Sequence, residues 1–305
     1  MKSSLTVIDS RYVRPGFAAI FLREEGDEVA IIEANTHLAR PLVLGALEAR
    51  GIRAEQVRYV VVTHAHLDHA GGVHSLMAAF PGAKLVAHPR AARHLIDPER
   101  LEKSARQVYG DLSFEALYGE LRPVPAERLL ILEDGESVPF GRGSLTALHT
   151  RGHAKHHMCV LDSQADAIFT GDAFGLAYPE LQGGGLFVFP STSPTDFEGE
   201  EALAAIDRVA DCGLGRAMLT HFGELPRLAE AREQLRGHIV FSLGILEEAR
   251  SLAEGERAAY LFGRLRERFA PSLALTSDPF LEMDLRLNAD GLAWSLRKKD
   301  EARSG

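Results

Sequence analysis

The chain has 305 residues, a formal net charge of −9, a hydrophobic share of 46% and a charged share of 25%. This length can bury the core of one large α/β domain or of a domain with a smaller extension, and the ordinary composition excludes a disordered chain. The negative charge argues against a nucleic-acid or anionic-membrane surface, because such surfaces need clustered basic side chains, so we expect a small-molecule substrate.

The first predicted elements are strands. A short strand-like run covers Leu5 to Ile8, and no signal-peptide core precedes it. Residues 17–22 and 28–33 predict two paired strands around the turn at 25–27. Nothing in the chain approaches the ~18 apolar residues that span a bilayer. We therefore expect a cytoplasmic protein with no membrane partner.

The next elements lead to a segment rich in histidine. Residues 41–50 predict a helix and 57–62 a buried strand, and the segment Thr63–Gly72 then places three histidines and an aspartate within six positions. By chance, these residues at these offsets would arise in about one chain per thousand of this composition. Imidazole and carboxylate groups at such spacing can converge on one cation. The segment predicts a metal site at the carboxyl end of a strand.

The elements that follow alternate between helices and strands, as in an α/β domain. They are predicted at 73–80, 84–87, 89–96 and 99–120, and then as strands at 129–132, 144–148, 158–162 and 166–170. The helical stretch 99–120 resembles an insertion near the site. The later strands predict a second β-rich half.

The last part of the chain has a helical pattern. Apolar residues recur at helical spacing over 228–252, 256–270 and 277–297, with predicted breaks at Gly255, Pro271 and Pro279. We therefore predict a catalytic domain over residues 1–227 and a helical C-terminal extension over 228–305. The apolar face of these helices offers a contact for a homodimer.

Three further loops carry side chains that can bind metal, and each follows a strand-like run. They hold His153 in Thr-Arg-Gly-His, Asp172 in Phe-Thr-Gly-Asp and His221 in Leu-Thr-His-Phe-Gly. A loop at the end of a strand is where a rigid sheet can hold side chains around an ion. Each residue alone is an ordinary polar loop residue, but their order after the histidine segment predicts a ligand set.

These residues in this order resemble the metallo-β-lactamase fold superfamily, whose pattern is His-x-His-x-Asp-His followed by a His, an Asp and a final His. The resemblance covers about residues 5–225. It implies an α/β fold, a four-layer αββα sandwich, here with a helical C-terminal extension. It also implies two divalent metal ions at one edge of the β layers. Zn is expected first, although nitrogen and oxygen donors also accept Mn or Fe.

The resemblance further implies how the ligands are shared. One ion would lie among His64, His66 and His153, and the other among Asp68, His69 and His221, with Asp172 bridging the two. Two positions depart from the family's pattern, because Glu33 stands where an Asp is usual and Arg151 where a Pro is often found. Neither position is a ligand in the family.

The implied function is a dinuclear metal-dependent hydrolase, whose metal-bridging hydroxide attacks a small ester, thioester or lactone, as in the glyoxalase II and lactonase branches. Asp68 would orient the hydroxide and carry a proton. Tyr178, six residues after Asp172, would stabilise a developing oxyanion. It lies in the segment 173–190, whose glycines at 183–185 and aromatic residues suit a pocket wall. Two alternatives stay open: a phosphodiesterase or nuclease of the same fold, and a mononuclear iron persulfide dioxygenase.

Overall fold

The structure is a computed structural model that describes residues 3–192, 195–273 and 279–304. Its residues group into two compact units. The first comprises Met1–His149, His156–Gly171 and Leu214–Glu224, and the second comprises Thr150–Lys155, Asp172–Gly213 and Leu225–Gly305. These groups do not test the predicted boundary after residue 227, which stays a prediction.

Two six-stranded sheets form the centre of the first unit. One sheet contains, in spatial order, β1 (Ser3–Asp9), β2 (Ala19–Glu25), β3 (Glu28–Ile32), β4 (Val57–Val61), β5 (Lys84–Ala87) and β6 (Leu129–Ile131). The first three strands pair antiparallel, and β3 to β6 are parallel. Because β3 and β4 run the same way, Glu33 and the histidine segment leave the sheet at the same edge.

The second sheet contains β7 (Ser137–Phe140), β8 (Gly143–His149), β9 (Met158–Asp162), β10 (Ala167–Gly171), β11 (Arg216–Leu219) and β12 (Gly223–Leu225), also in spatial order. Strands β7 to β10 pair antiparallel, whereas β10 and β11 are parallel. Gly171, the last residue of β10, stands opposite Leu219, the last residue of β11. The loops that follow these two strands therefore start side by side.

The first sheet is covered on both faces. Six helices of this unit follow its strands along the chain: α1 (Arg40–Glu48), α2 (Leu67–Ala70), α3 (Val73–Ala79), α4 (Pro89–Ile96), α5 (Glu99–Tyr109) and α6 (Asp111–Leu117). Helices α5 and α6 share a separate small core with Leu67 of α2. Since side chains alternate along a strand, Ile20 and Leu22 join the core with α1, α3 and α4, whereas Phe21 joins a core shared with the second sheet. Burial on both faces explains the continuous apolar runs in the sequence.

The second unit is mainly helical. It contains α7 (Gly199–Ala210), α8 (Leu228–Ala249), α9 (Glu254–Leu273) and α10 (Pro279–Ser304). The predicted breaks at Gly255 and Pro271 are wrong, because both residues lie inside α9. Gly255 occupies the first turn, and Pro271 lies only two residues before Leu273, the last residue of α9. The N–H that Pro271 lacks therefore removes one hydrogen bond close to the end of the helix. Residues 277 and 278, the first two of the predicted third helix, lie outside the described residues.

The predicted fold class, with its two β layers, its helices and its helical C-terminal part, is confirmed. Among the described strands and α-helices, α2, β7, α7 and β12 were not predicted. The predicted helix 99–120 is in fact two helices, separated at Gly110, whose φ of +77° ends α5. Among the described residues, no helix has both the length and the apolar character needed to cross a membrane.

A buried ionic cluster joins the two sheets. Arg23 of β2 donates from Nε to Asp162 of β9 at 2.6 Å and from Nη2 to Glu25 at 2.9 Å, and each of these three side chains is about 1% exposed. Asp162 also accepts from the backbone N–H groups of Gln164 and Ala165. Hydrogen bonds from Ser3 and Arg23 lower the pKa of Glu25 to about 2. The charges are therefore compensated in a layer that is otherwise apolar.

Candidate metal centre

The histidine segment is set by the end of β4 and a single helical turn. His64 and His66 lie in the loop after the strand, and His66 is the N-cap of α2, which carries Asp68 and His69. His64 and His69 are fully buried, and their rings lie 4.0 Å apart between centroids. The short helix thus places the side chains of Asp68 and His69 beside those of His64 and His66 in the preceding loop.

Three side chains of the first unit have the spacing of metal ligands. Asp68, His69 and His221 each offer one ligand atom, and these atoms lie within 4.8 Å of one another. Asp68 Oδ2 is 3.6 Å from His69 Nε2 and 3.4 Å from His221 Nε2. Ligands at 2.0–2.1 Å from a tetrahedral ion are about 3.3 Å apart. The donor set and its spacing therefore fit a divalent ion such as zinc.

The second ring nitrogen of each histidine in this group is held by an oxygen atom. His69 Nδ1 lies 3.1 Å from Glu33 Oε1, and His221 Nδ1 lies 2.8 Å from the carbonyl oxygen of Phe17. When Nδ1 donates its proton to these acceptors, Nε2 keeps the lone pair that a metal requires. The two bonds also fix the orientation of the rings.

Glu33 connects the segments that carry these ligands. Its carboxylate accepts hydrogen bonds from Thr63 Oγ1 at 2.6 Å and from Thr220 Oγ1 at 3.1 Å, in addition to that of His69. The residue is fully buried, with a φ of +69°. Although it departs from the family's usual Asp, Glu33 ties the loops after β3, β4 and β11 together at one point.

His64 and His66 form a second pair of donors in the same unit. His64 Nε2 lies 2.9 Å from His66 Nδ1, and His64 Nδ1 lies 3.0 Å from Thr63 Oγ1. Two histidines from a later part of the chain, His156 and His157, pack around this pair. The His156 ring accepts from the backbone N–H of Ala65 at 3.3 Å, and the His157 ring lies 4.8 Å from that of His64.

His153 and Asp172 lie together in the second unit. His153 Nε2 is 3.5 Å from Asp172 Oδ2, and both side chains are buried. His153 Nδ1 faces the carbonyl oxygen of Ser191 at 3.2 Å, which repeats the arrangement of His69 and His221. The pair therefore has the orientation of ligands, with Nε2 on the side of the carboxylate.

Tyr178 is fully buried at the N-cap of a short 3-10 helix, Pro179–Gly184, and its ring packs against Phe189. The surrounding segment is held by two glutamine side chains. Gln182 donates to the carbonyl oxygens of Tyr178 and Phe187, and Gln234 of α8 donates to that of Leu186. The oxyanion role of Tyr178 stays a prediction.

Gly72 closes the histidine segment against the loop after β3. A Cβ at this position would lie 2.5 Å from the carbonyl oxygens of Ala34 and Thr36, although the φ of −85° suits any residue. We expect Gly72→Ala to destabilise the protein by about 1–3 kcal/mol and to weaken metal binding, because the segment has to move. Urea unfolding and metal titration test this. Gly82→Ala, which has no atom within 4 Å of the new Cβ, should change neither quantity by as much.

Comparison with known proteins agrees with this geometry. The family model described as Metallo-beta-lactamase superfamily matches residues 13–234. The metallo-beta-lactamase fold-containing protein ST1585 of Sulfurisphaera tokodaii is 31% identical over 144 residues, which are 46% of this chain and 51% of that protein. The match thus spans about half the length of that relative. The human acyl-coenzyme A thioesterase MBLAC2 is 24% identical over 231 residues, 73% of this chain and 76% of that protein.

A solved structure extends the likeness to nearly the whole chain. The metallo-beta-lactamase family protein TTHA1429 from Thermus thermophilus superimposes with a TM-score of 0.66 at 21% identity, covering 97% of this chain and 94% of that one. At this identity the likeness concerns the fold alone.

Proposed function

Because the chain belongs to the metallo-beta-lactamase superfamily, we propose that it is a dinuclear metal-dependent hydrolase that cleaves a small thioester, ester or lactone. The observation that carries this proposal is the group formed by Asp68, His69 and His221, whose ligand atoms have the separations of a tetrahedral site. Thioesters are the first choice, because a relative that matches most of this chain is named as an acyl-coenzyme A thioesterase.

In this proposal Asp172 belongs to the same centre as the ligands of the first unit. Gly171 precedes it by one peptide bond, and a Cβ built on Gly171 would lie 2.5 Å from Thr63 Oγ1. The Cα atom of Asp172 is therefore about 3.8 Å from a residue that touches the histidine segment. Pairing of Gly171 with Leu219 also starts the loops of Asp172 and His221 side by side. These two facts support Asp172 as the bridging ligand.

His153 would complete the ligand set in the same way. It lies three residues before His156, whose ring contacts Ala65. Three residues span at most about 10 Å, so the chain itself limits the distance between His153 and His156. We propose that His153 joins His64 and His66 at one ion, while Asp68, His69 and His221 hold the other. Two divalent ions, most simply Zn, fit this set of nitrogen and oxygen donors.

When bound, such ions supply Lewis acidity, which lowers the pKa of a water molecule and polarises a carbonyl oxygen. The protein supplies the orientation. The Asp68 side chain is 27% exposed, so its carboxylate can accept a proton from the attacking water and pass it on. Tyr178 would donate a hydrogen bond from its hydroxyl group to the developing oxyanion. Because its side chain is buried, the segment 173–190 would have to open for this contact.

The proposal is tested by elemental analysis of protein purified without chelator, together with rates on thioester, lactone and bis-p-nitrophenyl phosphate substrates. We expect two equivalents of divalent metal and hydrolysis of the thioester or lactone, lost in His66→Ala. His37→Ala removes an equally half-exposed histidine outside the site and should keep both properties. Preference for the phosphodiester would replace thioesters and lactones by phosphodiesters as the proposed substrate class. One equivalent of iron without hydrolysis would overturn the proposal in favour of a dioxygenase.

A further inference from the structure

We propose that Asn288 of α10 is a positioning residue for His153, so that the C-terminal helices help to set the geometry of the metal centre. The inference rests on the proposed function, in which His153 holds an ion. It concerns residues of the second unit alone. It also assigns to the helical extension a role in the metal centre, whereas the sequence pattern suggests only a contact for a homodimer.

The contacts form a short path from α10 to His153. Asn288 Nδ2 donates to the carbonyl oxygen of Pro190 at 3.0 Å, and Asn288 Oδ1 accepts from the backbone N–H of Thr192 at 2.7 Å. Thr192 Oγ1 donates to the backbone carbonyl oxygen of Asn288 at 3.0 Å. Ser191 lies between Pro190 and Thr192, and its carbonyl oxygen faces His153 Nδ1 at 3.2 Å.

The path matters because the segment 190–192 lies outside regular secondary structure. These residues belong to neither a helix nor a strand, so their own backbone does not fix where the Ser191 carbonyl points. Asn288 is 5% exposed and Thr192 1% exposed, so water competes little for these bonds. Three hydrogen bonds join Asn288 to Pro190 and Thr192, the residues on both sides of Ser191. The direction of its carbonyl, and with it the rotation of the His153 ring, is therefore set from α10.

An amide is the side chain that this contact requires. It donates on one side and accepts on the other, which matches a carbonyl oxygen at 190 and an N–H at 192. Aspartate would keep the bond to Thr192 and lose the bond to Pro190. Alanine would lose both and would leave buried backbone groups without these partners.

The test is a titration of the metal-free full-length protein with cobalt(II), followed by absorbance, in competition with a chelator. Loss of a group that orients a ligand typically costs 10- to 100-fold in metal affinity. We expect Asn288→Ala to weaken one of the two binding steps by about this factor, and Asn288→Asp by less, because one bond is retained. His153→Ala is the reference and should weaken the same step more strongly.

The control separates positioning from general damage to the helix. Leu296 is fully buried two turns further along α10, and Leu296→Ala should lower the unfolding midpoint without changing cobalt affinity. Thr192→Val removes only the hydrogen bond of the hydroxyl group and should weaken the same binding step slightly. This variant replaces Asn288→Ala in the test if Asn288→Ala does not fold.

The outcomes distinguish the two proposals. Weakened cobalt binding in both His153→Ala and Asn288→Ala, with Leu296→Ala unchanged, supports the positioning role. If His153→Ala weakens binding while Asn288→Ala and Thr192→Val bind normally, the positioning role is overturned and the proposed function stands. If His153→Ala itself binds cobalt normally, His153 is not a ligand, and both proposals fail at this residue.

Discussion

Replacing Asp68 by asparagine is expected to lower kcat/KM for the preferred substrate by about 10²- to 10⁴-fold. Asparagine keeps the size of the side chain and one oxygen atom, but it carries no charge and accepts no proton at neutral pH. Asp68 Oδ2 lies 3.6 Å from His69 Nε2 and 3.4 Å from His221 Nε2, so the substitution removes the only carboxylate of that group. Steady-state kinetics at saturating metal measure the effect.

Elemental analysis of the same variant separates two causes of the loss. If the metal content is retained, the lost activity reflects proton transfer, whereas loss of one equivalent shows that the charge is needed for binding. Asp27→Asn changes a carboxylate in the turn between β2 and β3 and should leave kcat/KM unchanged. Full activity in Asp68→Asn would rule out any part for this carboxylate in the reaction.

Replacing Asp162 by alanine is expected to lower the free energy of unfolding by about 3–5 kcal/mol. The change leaves the Arg23 guanidinium buried without the partner that accepts from its Nε at 2.6 Å. It also removes the acceptor used by the backbone N–H groups of Gln164 and Ala165 at the end of β9. Urea unfolding followed by circular dichroism measures the difference, on the condition that the unfolding is two-state.

A matched control exists on the surface. Arg122 and Glu120 form an ion pair in which both side chains are about two-thirds exposed, and Glu120→Ala should leave the free energy of unfolding nearly unchanged. An equal loss of unfolding free energy in Asp162→Ala and Glu120→Ala would show that burial does not increase the contribution of the Arg23 cluster to stability. Because asparagine still accepts a hydrogen bond, Asp162→Asn should lose less stability than Asp162→Ala.

Much of the candidate site could be predicted because its signal is local. The side chains of His64, His66, Asp68 and His69 lie within six positions, so one strand end and one helical turn bring them together. His153, Asp172 and His221 were found from their order along the chain, and for these the resemblance to a family was needed. Metal identity, the number of ions and the part played by Tyr178 stay proposals.

The atoms that orient the ligands could not be predicted in the same way. His221 and His153 are held by the carbonyl oxygens of Phe17 and Ser191, and every residue has such an oxygen. Asn288 lies 98 positions from Pro190 and appears in the sequence as one polar residue of a helix. Contacts of this kind depend on the tertiary structure and leave no local pattern.

The missed elements have equally physical causes. Helix α7 buries mostly small side chains, among them Ala202 and Ala205, which weaken the apolar periodicity that predicts a helix. Strand β12 is only three residues long. The breaks expected at Gly255 and Pro271 failed because Gly255 stands in the first turn of α9 and Pro271 in the last, so each residue interrupts little of the helix.

The carboxylate of Glu33 has a consequence for the lifetime of the protein. It brings a buried acidic group to the point where the loops after β3, β4 and β11 meet, close to the carboxylate of Asp68. A cation held by His69 would offset that negative charge, so an ion that binds the folded chain would also stabilise these loops. In a cell short of metal, the amount of this protein would then decrease as well as its activity, because proteases degrade chains whose loops open often.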